Sequence, residues 1–323
     1  MTKPDLLVMS PIWPSAIDTL AAQFTLHRYD LAEDKLALLK AVGQNCRAVI
    51  INGNYQLGVA ELAFLPRLEI VACTTAGFEK LDHDALQQRG IALTNASLAL
   101  KDDVADTALM LVLASFKDLV RADAYVRQGQ WQHQGPYPLL TALKGKRAGI
   151  LGLGTIGREI ASRLEAVRMT IGYCTRRPQD VEHTYFTDAL SLADWCDVLI
   201  VAIPGGAETK GLIDQAILKK LGSQGTLINI SRGSVVDEAA LIACLKSGTL
   251  GAAGLDVYQN EPTPNPDLTD LPNVVLYPHH ASGTVETRCA MTELAVENLA
   301  AHFAGTRPIS PVNSSVQHSR AAQ

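Results

Sequence analysis

Residues 148–167 read AGILGLGTIGREIASRLEAV. An apolar, strand-like run at 148–151 leads into Gly-Leu-Gly-Thr-Ile-Gly at 152–157, and a helical run from 158 to 167 follows. A lone G-x-G-x-x-G carries little information, but between a strand and a helix it is the turn that opens a dinucleotide-binding βαβ unit. Gly152 permits the tight turn, Gly154 lets backbone approach a pyrophosphate, and Gly157 lets helix and strand pack closely. The helix start, with Thr155 and Ile156, offers unpaired N–H groups and the positive dipole end to phosphates. A glycine-rich turn that holds no ligand is the bland alternative.

Working outward, the same alternation recurs in both directions. Downstream, short apolar runs at 170–173, 198–202, 226–230, 252–256 and 274–277 read as strands separated by helical stretches. Upstream, runs at 6–9, 48–51, 70–73 and 91–93 do the same, with helical spacing at 15–23 and 33–42. Strands without polar alternation are buried on both faces, which is the signature of parallel sheets. Strands alternating with helices predict an α/β chain with two doubly wound parallel-sheet domains. Two longer helical stretches, 102–119 and 286–303, mark the crossings. In the first, Ala105, Leu109, Val112, Leu113 and Phe116 are expected on one face. We therefore expect a dinucleotide-binding (Rossmann) domain at 101–287, inserted in a flavodoxin-like substrate domain built from 1–100 and 288–323. Residues 128–138 look too irregular for core and are expected to be an arm or long loop at a subunit contact. The polar tail after Thr306 is expected to be partly loose.

A chain of 323 residues has room for about two domains. With 47% hydrophobic and 19% charged residues it is neither disordered nor membrane-spanning in composition. A net charge of −5 argues against a nucleic-acid surface. Six cysteines, at 46, 73, 174, 196, 244 and 289, form no C-x-x-C pair, so no metal site or redox dithiol is expected. The N-terminus, MTKPDLLVMSPIW, lacks the apolar stretch of a secretory signal, and a cytoplasmic location is expected.

An NAD-binding unit places an acid near the end of its second strand to hold the ribose 2′-hydroxyl. Here that strand continues into Cys174-Thr175-Arg176-Arg177. A carboxylate would repel a 2′-phosphate, whereas guanidinium groups pair with it. The pattern predicts NADP(H), with weaker use of NAD(H). Arg176 and Arg177 as ordinary surface cations is the alternative.

Three later segments carry polar groups that a core has no use for: 228–233, ending Ser231-Arg232-Gly233; 255–262, Leu-Asp-Val-Tyr-Gln-Asn-Glu-Pro; and 277–284, beginning Tyr277-Pro278-His279-His280. Each follows a predicted strand, and in doubly wound sheets ligands sit beyond the strands' carboxyl ends. Arg232 can clamp a carboxylate, His279 can move a proton near neutral pH, and Glu261 can stabilise an imidazolium. Those are the parts needed to reduce a 2-keto acid. Bland readings stand beside them. Arg232 could pair with Asp237, Glu261 could be a solvated acid, and His280 could equally be the working histidine.

The set GLGTIGREIASRL, NISRGSVVDEAAL, GAAGLDVYQNEP and PHHASGTVETR, with TTAGFEKLD and ALTNASLALKDDVADTALMLVLA upstream, resembles the D-isomer-specific 2-hydroxyacid dehydrogenase family over nearly the whole chain. Within it the chain is most similar to glyoxylate/hydroxypyruvate reductases, with 2-ketogluconate and hydroxyphenylpyruvate reductases as related types. The resemblance implies a catalytic triad of Arg232, Glu261 and His279. It implies cofactor contacts at Thr107 and Asp256, the latter to the nicotinamide carboxamide. Thr175, Pro204, Thr209 and Ile230 complete the candidate cofactor set. The backbone at Ala76 and Gly77 is implied to hold the substrate carboxylate, with Asn52 and Gly53 in a neighbouring loop and Arg232 and His279 also touching substrate. A homodimer is implied, the arm contributing to it. Two positions depart from the pattern: Lys117-Asp118 stands where an arginine often closes the helix, and His280 replaces a usually apolar residue. A nucleotide-sensing binding protein built on the same fold is the rival of a different class, and oxidation of formate or phosphite is a third reading.

Overall fold

The computed structural model describes residues 3–312. It divides into two compact units: residues up to Leu100 together with those from Gly283 onward, and residues Lys101–Ser282.

The first unit holds a five-stranded sheet of β1 (Asp5–Val8), β2 (Thr25–Arg28), β3 (Cys46–Ile51), β4 (Ile70–Cys73) and β5 (Ala92–Thr94). Their order is β2-β1-β3-β4-β5, all parallel. This is the flavodoxin-like order. Successive side chains of β1, β3 and β4 enter opposite layers, and both layers are apolar. Leu6, Val8, Ala48, Ile50, Ile70 and Ala72 pack with Leu20, Phe24, Val296 and Leu299. Leu7, Val49, Ile51, Val71 and Cys73 pack with Leu39, Leu62, Leu65 and Leu86. The expected strands are all present. Edge strand β2, Thr-Leu-His-Arg, was not expected, because its half-exposed polar residues make no apolar run. The segment after Thr306 is not loose up to residue 312. Pro311 bridges Thr94, Val312 donates its N–H to the Leu93 carbonyl, and Ser310 is buried. Residues 313–323 lie outside the described part.

The second unit holds seven parallel strands: β6 (Arg147–Leu151), β7 (Thr170–Cys174), β8 (Thr184–Phe186), β9 (Val198–Val201), β10 (Thr226–Asn229), β11 (Ala252–Leu255) and β12 (Val274–Leu276). Their order is β12-β11-β10-β9-β6-β7-β8. The chain starts at β6, builds outward through β7 and β8, then returns to lay β9 on the other side of β6. The switch point therefore lies between β6 and β9, directly beyond the glycine loop that follows β6. Every expected strand is found, within two residues at either end. β8, a short half-exposed edge, was not expected.

Helix Ser97–Phe116 begins five residues before its expected start, and its buried face is Val104, Ala105, Ala108, Leu111 and Val112. Leu109, Leu113 and Phe116, expected on that face with Ala105 and Val112, are only partly buried. The helix is tied to helix Thr155–Ala166 through Arg163, which meets Asp102 at 2.9 Å, Asp106 at 2.5 Å and Glu159 at 3.1 Å. The segment read as an irregular arm includes helix Gln130–Gln134, preceded by helix Leu119–Arg127. The chain stops being helical at Gly135 and the prolines that follow. Tyr137 then returns its hydroxyl to Asp118 at 2.6 Å.

Candidate active site

The glycine loop shows why each glycine stands where it does. Gly152 has φ +99°, and a Cβ on it would lie 2.7 Å from the Ala202 carbonyl oxygen. A Cβ on Gly157 would lie 2.0 Å from the Gly152 carbonyl oxygen. Gly154 differs, because a Cβ there would meet nothing within 4 Å. The protein itself does not need Gly154 bare, so the open space above it is room for another molecule's approach. Gly154 precedes helix Thr155–Ala166, whose first N–H groups receive no side-chain cap. A bare backbone, an uncapped helix start and open space fit a pyrophosphate.

Beyond β7, two tyrosines shape the turn that carries the arginines. Buried Tyr173 accepts the Gln179 N–H at 2.8 Å and returns its hydroxyl to the Gln179 carbonyl at 3.2 Å. The Tyr185 hydroxyl donates to the Thr175 carbonyl at 3.3 Å, and the Thr175 hydroxyl donates to the Arg177 carbonyl at 2.7 Å. Arg176 and Arg177 are exposed on this pinned turn, and among the described residues neither is in an ion pair. Two uncommitted guanidinium groups and no acid fit a ribose 2′-phosphate. Pro204 and Thr209 lie in the loop after β9, where the Thr209 hydroxyl donates to the Pro204 carbonyl at 2.9 Å. Ile230, just beyond β10, is buried.

The three polar segments meet at the carboxyl ends of β10, β11 and β12. After β10, buried Asn229 folds the turn. Its amide donates to the Arg232 carbonyl at 2.9 Å, and its carbonyl oxygen accepts the Ser231 N–H at 3.0 Å and hydroxyl at 2.9 Å. Nothing local in the sequence marks Asn229 for this role; only the turn it closes does. The Arg232 guanidinium reaches the Ser231 carbonyl at 2.7 Å. Asp237 does not take it in an ion pair, but caps helix Glu238–Lys246 by accepting the Ala240 N–H. A Cβ on Gly233 would sit 1.9 Å from the Tyr258 carbonyl carbon, so the Arg232 turn lies against the Glu261 loop.

Glu261 lies in an exposed loop, but both of its carboxylate oxygens are engaged. One carboxylate oxygen accepts the Tyr258 N–H at 3.0 Å and the other meets His279 Nδ1 at 2.6 Å. Burial pushes its carboxyl up. The bonds from His279 and Tyr258, with the charges of His279 and Arg232, outweigh burial and hold it below the usual glutamate range. With Nδ1 committed to a carboxylate, Nε2 is the ring atom left to exchange a proton. His279 itself has φ +51°, a left-handed backbone that a non-glycine residue rarely adopts.

Asp256 explains how that backbone is held. It is 1% exposed, and its two oxygens accept the N–H groups of His280 at 2.8 Å and Ala281 at 3.2 Å. Burial raises its carboxyl above the ordinary aspartate range. The Thr107 hydroxyl reaches the Ala281 carbonyl at 3.4 Å. His280 gives its backbone to Asp256 and sets its ring edge-on to Tyr277, whereas His279 holds the carboxylate partner.

Asn52, Gly53, Ala76 and Gly77 belong to the first unit, in the loops after β3 and β4. The two loops touch there: a Cβ on Gly53 would lie 1.9 Å from the Gly77 carbonyl oxygen. Asn52 donates its N–H to buried Ser10 at 2.7 Å and accepts the Asn54 N–H on its side chain.

Comparison with known proteins bears on this geometry. The family model described as "D-isomer specific 2-hydroxyacid dehydrogenase, NAD binding domain" matches residues 109–281. The chain belongs to the D-isomer specific 2-hydroxyacid dehydrogenase family. Glyoxylate/hydroxypyruvate reductase A of Arabidopsis thaliana is 41% identical over 308 residues, covering 95% of this chain and 98% of that protein. The 2-ketogluconate reductase of Gluconobacter oxydans is 40% identical over 313 residues, covering 96% and 99%. The crystal structure of an NADPH-dependent glyoxylate/hydroxypyruvate reductase from Sinorhizobium meliloti, in complex with NADP and malonate, superposes with a TM-score of 0.87. It is 38% identical and covers 100% of both chains. As a member of this dehydrogenase family, the chain has its glycine loop and polar triad within the matched unit.

Proposed function

We propose that this protein is an NADPH-dependent reductase that converts a 2-keto acid, glyoxylate or hydroxypyruvate, to the D-2-hydroxy acid. The observation that carries this reading is the 2.6 Å His279–Glu261 pair beside Arg232, on the sheet that also presents a bare Gly154 and an acid-free arginine turn. NADPH, when bound, supplies the hydride that reduces the keto carbon. The glycine loop and helix start hold its pyrophosphate, and Arg176 and Arg177 hold its 2′-phosphate. Thr107, Thr175, Pro204, Thr209, Ile230 and a remaining lone pair of Asp256 complete the cofactor's surroundings.

Arg232 binds the substrate's carboxylate and carbonyl oxygen and so fixes which face of the keto carbon is presented. The N–H groups of Ala76 and Gly77 take the carboxylate, with Asn52 and Gly53 beside them. His279 gives the proton on Nε2 to the carbonyl oxygen as it becomes an alkoxide. Glu261 accepts the Nδ1 proton throughout, orients the ring and stabilises the imidazolium before transfer. We assign the substrate role to the first unit and the cofactor role to the second.

Loss of NADPH absorbance, and separately of NADH absorbance, over glyoxylate, hydroxypyruvate, 2-ketogluconate and hydroxyphenylpyruvate tests the reading. Fast turnover of the two small acids with NADPH supports it. Preference for 2-ketogluconate, the substrate named for the Gluconobacter oxydans relative, or for the aromatic acid moves the substrate and keeps the chemistry. Tight cofactor binding without turnover of any acid supports a binding protein instead.

We further propose a cytoplasmic homodimer. All six cysteines are free, in keeping with a reducing compartment. Leu119, Val120, Val126, Trp131 and Leu139 are large, apolar and exposed within one stretch of the second unit. Such a concentration marks an association surface. No helix among the described residues is long and apolar enough to cross a membrane. Light scattering should return about twice the chain mass, and a monomer at micromolar concentration would refute the dimer.

A further inference from the structure

In the loop after β4, three successive carbonyls are tied down. The Thr75 carbonyl accepts the Ala96 N–H at 3.0 Å, and the Ala76 carbonyl accepts the Asn95 side-chain amide at 3.1 Å. The Gly77 carbonyl accepts the Thr75 hydroxyl at 2.8 Å. A trans peptide points its N–H opposite to its carbonyl. The N–H groups of Ala76, Gly77 and Phe78 therefore face away from these partners. Successive backbone N–H groups left free in this way make an anion-binding concavity.

One side chain joins this loop to its neighbour. Besides donating to Gly77, the Thr75 oxygen accepts the Gly53 N–H at 2.9 Å and lies 3.3 Å from Cys73 Sγ. Its single proton goes to the Gly77 carbonyl and the Gly53 N–H donates to it, while the Cys73 thiol lies within reach of both the hydroxyl and, at 3.7 Å, the Gly77 carbonyl. Burial raises the Cys73 thiol above its ordinary range, which keeps its proton available to either oxygen. The hydroxyl is thus used as both donor and acceptor, and the close approach of the two loops at Gly53 leaves no room for a side chain to replace it.

We propose that Thr75 is a positioning residue that sets the direction of the Ala76–Gly77–Phe78 peptides and, through their N–H groups, the affinity for the keto acid's carboxylate. This rests on the reductase reading for the identity of the substrate, though the orientation of the peptides does not. Without the hydroxyl, the Gly77 carbonyl loses its short 2.8 Å bond and keeps only the long, weak contact from Cys73 Sγ at 3.7 Å, so the peptide it shares with Phe78 is held less firmly. The Gly53 N–H also loses its acceptor.

Two measurements on the full chain test the assignment. In steady-state reduction of glyoxylate at saturating NADPH, Thr75→Val should raise KM about ten-fold or more and leave kcat within about three-fold. The dissociation constant for NADPH should not change, and Thr75→Ser, which keeps the hydroxyl, should stay within three-fold of wild type throughout. Separately, oxalate titrated into the 15N-labelled NADP+ complex should shift the Gly77 amide resonance in wild type and Thr75→Ser, but not in Thr75→Val. Thr75→Ala carries the same comparisons should the valine variant not fold. An unchanged KM in the folded hydroxyl-free variant, equal impairment of the serine and valine variants, or a wild-type Gly77 amide indifferent to oxalate overturns the proposal. A Gly77 amide that responds to oxalate in a protein that turns over no 2-keto acid supports Thr75 and refutes the reductase reading instead.

Discussion

Replacing both Arg176 and Arg177 by alanine should cost the enzyme its preference for NADPH and little else. A charge-assisted hydrogen bond to a phosphate contributes about 1.5–3 kcal/mol. Two features of the turn set where in that range these bonds fall. Among the described residues neither arginine has an acidic partner, so no internal bond is broken when a phosphate arrives. Both side chains are exposed, so screening by salt pulls each toward the lower end, about 1.5 kcal/mol. Together they amount to about 3 kcal/mol, or roughly 100-fold in kcat/KM for NADPH. NADH lacks the 2′-phosphate, so its kcat/KM should stay within about two-fold. Tyr173 and Tyr185 hold the turn from beneath, so its backbone should survive the loss of side chains that point to solvent. The assay is initial rate against each cofactor at a fixed keto acid concentration, repeated at low and high salt. The wild-type preference should shrink as salt rises, and that of the double variant should not. Equal losses with NADH and NADPH would refute the reasoning, because they would show that the arginines support the turn and do not read the phosphate.

Alanine at His279 should lower kcat by about 10²- to 10⁴-fold with NADPH binding intact, as measured by cofactor fluorescence, because only the proton donor is removed. Glutamine at Glu261 should lower kcat about ten-fold or more and leave NADPH affinity unchanged, since the ring loses its charged acceptor and keeps its place. The Glu261 carboxyl is held below its ordinary value of about 4.3, so its contribution to stability is present above that pH and lost as pH falls through the lower folded value. The melting-temperature gap between wild type and Glu261→Gln should accordingly narrow as pH falls from about 5 through the lower folded value. Alanine at Gly157 and at Gly154 should part company in thermal melts and cofactor titrations. The first drives a Cβ to within 2.0 Å of a carbonyl oxygen and should destabilise the fold, whereas the second enters open space and should weaken only cofactor binding.

Much of this architecture is dictated locally. Parallel strands buried on both faces need unbroken apolar runs, and ten of the twelve strands among the described residues announce themselves that way. The two that do not, β2 and β8, are half-exposed edges whose residues need not be apolar. The arm was opaque for a related reason: helix Gln130–Gln134 has no buried residue, so nothing in its pattern marks a face. Glycine spacing, the absence of an acid beside Arg176, and the order Arg232, Glu261, His279 after successive strands all follow from which residue types the chemistry tolerates. They could be read before any coordinates.

What only the tertiary structure decided is how those groups are held. Asn229 closing the Arg232 turn, Asp256 clamping the amides that follow His279, and Thr75 bridging the Gly53 and Gly77 loops all leave no periodic trace. Asp256 and its partner His280 are separated by 24 residues, and Gly53 and Thr75 by 22. Such bonds exist only because parallel strands bring distant turns to the same end of a sheet. A short polar residue in a loop reads the same in sequence whether it faces water or fixes a catalytic backbone. The sequence by itself therefore determined which chemistry the chain carries, and the packing of its strand ends decided the geometry in which that chemistry is presented.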